Sequence, residues 1–247
     1  MEDYRAELTE TSYMREIEVD FSQCDRNQTM TMGAILTQAA VFAGYDYDAR
    51  GLTYDVLYDR RQVFLLSRLA VKLHRCPRVR DVLQVTTWED GARGAHLQRV
   101  YEYRTRAGEL CVSIRSDWIL VDPVSRKILR PREFTARPLT ACPVTVDCPA
   151  PTKVALPAEA EPLGSRTVRW SDLDGNGHLF SGVYGSIIWD ALPEDLQPRT
   201  PQEFYLNYNH EATLGQSLAL LGHREGDCYR MEGAGPNGPC FTCLIQY

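Results

Sequence analysis

Asp174, Asn176 and His178 alternate along the segment Trp170-Ser-Asp-Leu-Asp-Gly-Asn-Gly-His178, and Glu211 follows in the next apolar stretch. An imidazole ordinarily titrates near neutrality and can take a proton from water. A carboxylate can orient that imidazole or share its proton, and a carboxamide brings both a donor and an acceptor. Together these side chains suit hydrolysis of an activated carbonyl. His178 with Glu211 would activate water, Asn176 would position the water or the carbonyl, and Asp174 would hold the turn. Either His178 or Glu211 can serve as the formal base.

A degraded copy of the motif lies 149 residues upstream, as Phe21-Ser-Gln-Cys-Asp-Arg-Asn-Gln-Thr29. Asp25 and Asn27 match Asp174 and Asn176, whereas Thr29 stands where His178 should be. Val19 over Val168, Ser22 over Ser171 and Gly33 over Gly182 extend the frame. Capping of a turn by Asp and Asn explains what the copies share and leaves the histidine unexplained. Such a duplication predicts two similar folding units with one active site. The motif also resembles the start of a calcium loop, with Asp172, Asp174, Asn176 and Gly177 in place. Val183 falls where the bidentate glutamate belongs, however, and the segment before it is strand-like, so no metal is assigned.

These side chains need elements to hold them. In the first half, a strand at Tyr13–Val19 precedes the turn, and Met32–Gly44, small and apolar, predicts a buried helix running on towards Gly51. Thr53–Tyr58 suits a short extra helix. Alternating segments Val63–Leu73, Val82–Trp88, His96–Arg104 and Leu110–Val121, separated by Cys76-Pro77, Asp90-Gly91 and Ala107-Gly108, predict an antiparallel meander. From Arg130 to Leu163 prolines recur without periodicity, which predicts a stiff, extended linker. The second half repeats the order: a strand through Val168-Arg-Trp170, the motif, a helix over 181–192, then strands near Glu203–Tyr208, Ser217–Gly222, Cys228–Glu232 and Cys240–Tyr247. The motif then precedes a helix whose free N–H groups and positive dipole end suit an oxyanion, with Gly175 and Gly177 permitting close approach. Matching Leu69–Leu73 to Phe204–Tyr208 lowers the frame from 149 to 135, a difference ascribed to the short helix at Thr53–Tyr58. The expected class is α+β, a tandem (double) hot-dog fold with units at 1–130 and 164–247 and a linker at 131–163.

The 247 residues are 44% hydrophobic and 24% charged, which suits a folded globular chain and allows two domains. No run is long and apolar enough for a membrane span, and Met1-Glu-Asp-Tyr-Arg5 lacks the apolar core of a secretion signal. A cytoplasmic protein is the expectation. A net charge of −6 argues against nonspecific nucleic-acid binding. Three basic stretches (Lys72, Arg75, Arg78, Arg80; Arg93, Arg99, Arg104, Arg106; Arg126, Lys127, Arg130, Arg132) are expected at solvated strand ends and turns. The eight cysteines form no disulfide or zinc framework, and strand alternation predicts opposite faces for Cys240 and Cys243. His74, His96 and His223 lack catalytic context, and His210 is expected on the opposite strand face from Glu211.

The order strand, Trp-x-Asp-x-Asp-x-Asn-x-His, helix, strand ending near Glu resembles the acyl-acyl carrier protein thioesterases of plastids and bacteria, over essentially the whole chain. Tyr184, the segment Ser116–Lys127 and Tyr208-Asn-His-Glu211 fit the same pattern. The resemblance implies catalytic roles for Asp174, Asn176, His178 and Glu211 and hydrolysis of fatty acyl-acyl carrier protein, with no metal or organic cofactor. It also implies an acyl pocket in the N-terminal unit, for which Met32, Ile35, Leu36 and Tyr184 are candidate lining residues, with Met30 and Phe42. Arg93, Arg99, Arg126 and Lys127 are candidates for meeting the acidic carrier protein. Leu179-Phe180-Ser181 replaces the Val-Asn-Asn common in that family, and Ala212 stands where many members have cysteine. The latter leaves water as the nucleophile. An acyl-coenzyme A thioesterase and a noncatalytic acyl-carrier sensor remain alternatives, and a homodimer remains open.

Overall fold

In the computed structural model, residues 4–138, 142 and 144–247 are described. Residues 1–3, and residues 139–141 and 143 of the expected linker, lie outside the described residues. In the first half, β1 (Ala6–Leu8) and β2 (Ser12–Glu18) lead into α1 (Met32–Ala49) and α2 (Tyr54–Asp59). The alternating segments then form β3 (Val63–Leu73), β4 (Val82–Arg93), β5 (His96–Thr105) and β6 (Leu110–Val121), and β7 (Ile128–Leu129) pairs with the end of β6. The second half contributes β8 (Glu161–Thr167), α3 (Val183–Ala191), β9 (Glu203–Tyr208), β10 (Ser217–Glu225), β11 (Cys228–Gly235) and β12 (Gly238–Gln246).

Local chemistry sets the helix limits. Thr31 caps α1 by accepting the Ala34 N–H, and Gly51, at φ +75°, closes its C-terminal turn, with the Gly51 and Leu52 N–H groups bonded to Asp48 and Tyr47 carbonyls. Two expected boundaries move. Strand β4 runs past Trp88 to Arg93 because Gly91 (φ +82°) lets a β-bulge absorb Asp90-Gly91, and the hairpin turns at Gly94 instead. Strand β8 stops at Thr167, short of Trp170, because the Asp172 carboxylate accepts the Arg169 N–H at 2.7 Å and closes a 3₁₀ turn at Trp170–Asp172.

The strands form one antiparallel sheet in the order β1-β2-β4-β5-β6-β3-β9-β12-β11-β10-β8. From β2 to β3, and from β8 to β9, each half repeats the same order about the β3–β9 seam. In that seam Ala70 pairs with Tyr205, and these are equivalent positions in the 135-residue frame. The pseudo-twofold axis therefore passes between them. Both helices lie on one face, in a shared core that includes Ile35, Leu36, Phe42, Tyr184, Ile188, Phe204 and Phe241. A helix wrapped by an antiparallel sheet, twice over and joined at one edge, is the tandem hot-dog arrangement.

The helices meet at glycines. A methyl group at Gly185 would lie 2.7 Å from the Gly33 nitrogen, and one at Gly33 would lie 2.7 Å from Ser186 Oγ and 3.3 Å from the Gly182 carbonyl. The matched glycines of the duplication, Gly33 and Gly182, thus serve the crossing of α1 and α3.

The halves differ where the cavity forms. In the 149 frame α3 ends opposite Phe42, so the last two turns of α1 have no helical counterpart. In the 135 frame β9 begins opposite Arg68, so Val63–Ser67 has none either. These extensions account for most of the frame shift. The short helix α2, to which the difference was ascribed, stands opposite a turn at Pro193–Gln197 and contributes little to it.

The linker is extended but not solvent-borne. Its described residues lie against the sheet face opposite the helices, where Val154 packs on Ala70 and Tyr205 at the pseudo-twofold axis and Val146 packs on Trp88 and Val100. Asn207 fixes it by accepting the Val154 N–H and donating to the Thr152 carbonyl, each at 2.8 Å. Cys240 and Cys243 both lie in the shared core instead of on opposite faces, because a bulge in the β11–β12 pairing skips Cys240. No helix among the described residues is long and apolar enough to cross a membrane.

Candidate active site

The motif turn is built the same way in both copies. Asp174 Oδ1 accepts the N–H groups of Asn176 (2.8 Å) and His178 (3.2 Å), and Asp25 Oδ1 accepts those of Asn27 (2.8 Å) and Thr29 (3.1 Å). Gly177, at φ +78°, and its equivalent Gln28, at φ +61°, occupy the same left-handed position. Thr29 returns its hydroxyl to Asp25 Oδ1 at 3.0 Å, closing the first copy on itself. His178 instead reaches across to Glu211, with Nε2 3.4 Å from Oε2.

Glu211 arrives by a route the sequence reading missed. Strand β9 ends at Tyr208, and the Asn209 and His210 N–H groups turn to the Cys240 carbonyl. The loop then pairs with the motif: the Leu179 N–H donates to the Ala212 carbonyl at 2.8 Å, and His178 bridges Thr213. Backbone pairing thus sets Glu211 beside His178. His210 lies off the strand, with Nδ1 2.8 Å from the Pro239 carbonyl.

Two further side chains come from the N-terminal half. Arg126 Nη2 donates to Glu211 Oε2 at 2.6 Å, from a tight turn after β6 in which Arg126 has φ +56°. This places Arg126, a carrier-docking candidate, on the candidate carboxylate. The Tyr54 hydroxyl donates to Asn176 Oδ1 at 3.0 Å, which leaves Nδ2 as the donor that Asn176 offers. No sequence signal marked Tyr54 beyond its place in the short helix.

His178, Asn176 and Glu211 open onto a cavity of about 720 Å³. The exposed residues Tyr54, Tyr58, Arg126 and Ile128 mark its mouth, and the buried residues Leu52, Leu57, Leu97, Glu89 and Arg99 form its inner wall. Ala43, Gly44, Tyr47 and Asp48 of the α1 extension and Val63, Phe64 and Leu65 of the β3 extension complete it. Its size suits a small-molecule or acyl ligand.

Met32, Ile35, Leu36 and Tyr184, the candidate lining residues, are not among those lining this cavity. Met32 and Ile35, with Met30, border a second space of about 340 Å³ beside the first-copy turn. Leu36 and Phe42 are buried in the shared core, and Tyr184 stacks edge-on to Tyr208 and Phe241 at 5.1 and 5.5 Å. Burial pushes the Tyr184 phenol well up, so it stays protonated. The reason is positional: the first turns of α1 are taken up by the crossing with α3, and the cavity that His178 faces opens along its extension. Arg99, another docking candidate, is 4% exposed and salt-bridged to Asp46 at 2.9 Å, whereas Arg93 and Lys127 are exposed.

The expected helix N-terminal oxyanion site is also displaced. Helix α3 starts at Val183, and the N–H groups of residues 176–180 are already used: Asn176 and His178 by Asp174 Oδ1, Gly177 by the Asp174 carbonyl, Leu179 by Ala212 and Phe180 by Asp172. At the motif turn, Asn176 Nδ2 and Arg126 are the side-chain donors at hand.

Comparison with known proteins bears on the family and the fold. The family model of the acyl-ACP thioesterase N-terminal domain matches residues 10–137, and that of the acyl-ACP thioesterase C-terminal domain matches residues 158–233. The chain is 25% identical over 178 residues to the chloroplastic acyl-[acyl-carrier-protein] hydrolase FATB2 of Cuphea viscosissima, covering 68% of this chain and 43% of that protein. It is 24% identical over 187 residues to the chloroplastic palmitoyl-acyl carrier protein thioesterase of Arabidopsis thaliana, covering 72% and 45%. The chain thus spans less than half the length of the curated relatives it matches. Its fold is similar to that of an acyl-ACP thioesterase from Bacteroides thetaiotaomicron (TM-score 0.81, 21% identity, 95% of this chain and 97% of that one). It is also similar to the 12:0-ACP thioesterase from Umbellularia californica (TM-score 0.80, 16% identity, 97% and 98%).

Proposed function

Because this chain belongs to the acyl-ACP thioesterase family, we propose that it hydrolyses the thioester of a fatty acyl group borne on acyl carrier protein, releasing the free acid and the carrier thiol. The observation that carries this reading is the meeting of His178, Glu211 and Asn176 at the mouth of one largely apolar cavity, assembled from both halves of the chain.

His178, oriented by Glu211, takes a proton from water as the water oxygen bonds to the thioester carbon. The carbonyl oxygen becomes an oxyanion facing Asn176 Nδ2, whose Oδ1 is held by Tyr54. Collapse of the tetrahedral intermediate breaks the carbon–sulfur bond, and the proton held by His178 passes to the leaving thiolate. Arg126 steadies the Glu211 carboxylate by sharing its Oε2. Asp174 acts through the turn, since its Oδ1 is committed to two backbone N–H groups. Ala212, fully buried, offers no thiol, so water is the nucleophile.

Asn176→Ala is expected to lower kcat by about 10²- to 10³-fold, the effect of losing one oxyanion donor, with a smaller change in KM. Steady-state kinetics on a carrier-bound acyl group checks this. Equal loss through KM alone would move Asn176 from transition-state contact to ground-state binding. The carrier is tested by presenting the same acyl group on acyl carrier protein and on coenzyme A. Higher kcat/KM on the protein carrier supports the reading, and preference for coenzyme A would replace it with an acyl-coenzyme A thioesterase.

A further inference from the structure

The first copy of the motif keeps a pocket as well as a turn. The Met30 N–H donates to the Pro77 carbonyl at 2.8 Å, as the Leu179 N–H does to that of Ala212, and Thr29 bridges Arg78 as His178 bridges Thr213. These partners match in the 149 and 135 frames, so Cys76 is the counterpart of Glu211. Asn27, Thr29 and Cys76 line the cavity of about 340 Å³, just as Asn176, His178 and Glu211 line that of about 720 Å³. The smaller cavity has an apolar floor, in which Met30, Met32 and Ile35 are buried and Leu73 and Trp189 half-buried. The end of α3 and the loop after it complete the lining.

The chemistry at this turn differs from that of the second copy. With threonine and cysteine in place of histidine and glutamate, it holds no base for water. Burial pushes the Cys76 thiol up to about 11, so that position is neutral where Glu211 brings a carboxylate. Arg26, in turn, stands where the second copy has Gly175, and it is exposed and lines the cavity. Of the other charged lining residues, Asp25 is turned into its own loop by the Asn27 and Thr29 N–H groups and the Thr29 hydroxyl, and Arg199 is shared with Asp227 at 3.5 Å. Among the described lining residues, that leaves Arg26 on the turn as the free cation and Asp190 on α3 as the free carboxylate. A guanidinium beside the Asn27 carboxamide, above an apolar floor, suits a ligand with an anionic head and a short alkyl chain.

We propose that this second cavity is a noncatalytic binding site for a free short-chain carboxylic acid, with the carboxylate on Arg26 and Asn27 and the chain over Met30, Met32, Ile35 and Trp189. The exchange of His178, Glu211 and Gly175 for Thr29, Cys76 and Arg26 turns a site that activates water into one that holds an anion. Such an acid is the class of product that thioester hydrolysis releases. The inference goes beyond the reading of the first cavity and does not depend on it.

The test follows Cys76, because among the described residues no cysteine lines the first cavity. Native protein is treated with methyl methanethiosulfonate, and modification of Cys76 is followed by peptide mass spectrometry in the presence of octanoate or octanamide. Octanoate should slow the modification saturably, and octanamide, with the same chain and no charge, should need about tenfold more, the effect of one hydrogen bond to a charged group. Arg26→Gly restores the second-copy residue at an exposed position, and melting curves establish that it is folded. It should raise the octanoate concentration for half-protection by about tenfold and leave that of octanamide unchanged. Equal protection by acid and amide, or protection by octanoate that Arg26→Gly does not weaken, would overturn the carboxylate assignment. An unprotected Cys76, with calorimetric titrations of octanoate identical in the two proteins, would remove the site altogether. Should Cys76 resist the reagent, the calorimetric comparison decides alone. None of these readouts needs turnover, so a protein that hydrolyses no thioester still answers them.

Discussion

Replacing His178 by alanine is expected to lower kcat by about 10²- to 10⁴-fold, the usual contribution of a positioned acid–base group, with thermal stability nearly unchanged. The side chain is 26% exposed and its ion-pair contact is with Glu211, so its removal opens no core cavity. The turn itself is held by Asp174 through backbone N–H groups that alanine retains. His178→Thr is the informative companion. It rebuilds the first-copy arrangement, in which the Thr29 hydroxyl closes on Asp25, and should give a folded protein with the same loss of turnover. Chromatographic behaviour and melting curves establish folding, and product release establishes rate. Retention of turnover by either variant would remove His178 from the chemistry.

The largest stability effect is expected at Gly185. A Cβ there would sit 2.7 Å from the Gly33 nitrogen and 2.8 Å from its Cα, and both are backbone atoms of a second buried helix. No rotamer change relieves such a contact, so α1 and α3 must separate along the line that joins the two halves. Gly185→Leu should cost about 3 kcal/mol or more, at or above the usual range for overpacking. The shift in the denaturant midpoint at constant m-value reads it. Gly44, where an added Cβ meets nothing within 4 Å, is the control: Gly44→Ala in the helix interior should be neutral or mildly stabilising. A Gly185 variant as stable as the native protein would mean that the helices do not cross at these glycines.

These two effects show which parts of the molecule were legible in the sequence. The duplication, the antiparallel meander, the long apolar helix and the motif turn could be read because each is specified locally, by alternation, by small helix-forming residues or by Asp and Asn beside left-handed positions. The matched glycines Gly33 and Gly182 were visible in the frame, but their reason is a helix crossing that only the folded chain brings together. Likewise Tyr54 and Arg126 belong to the half without the histidine, and no spacing rule connects them to Asn176 and Glu211. Met32, Ile35 and Leu36 were reasonable pocket candidates as apolar residues on the long helix. Which turn faces open space depends on where α3 crosses, and that favours the extension from Ala43 to Asp48. Arg99 looked like a surface charge because a buried guanidinium is uncommon; Asp46 lies 53 residues away, and Glu89 meets it only because β4 runs past Trp88 to pair with β5.

The central claim is that the chain cleaves an acyl thioester at the mouth of this cavity. The most direct measurement is a mass-spectrometric time course of free acid released from a panel of acyl groups on acyl carrier protein, with native protein well below substrate concentration. The account predicts many turnovers per protein molecule for at least one acyl group, and their collapse in folded His178→Ala. Binding of acyl carrier protein without release of acid from any chain would contradict it and would make the protein an acyl-carrier sensor.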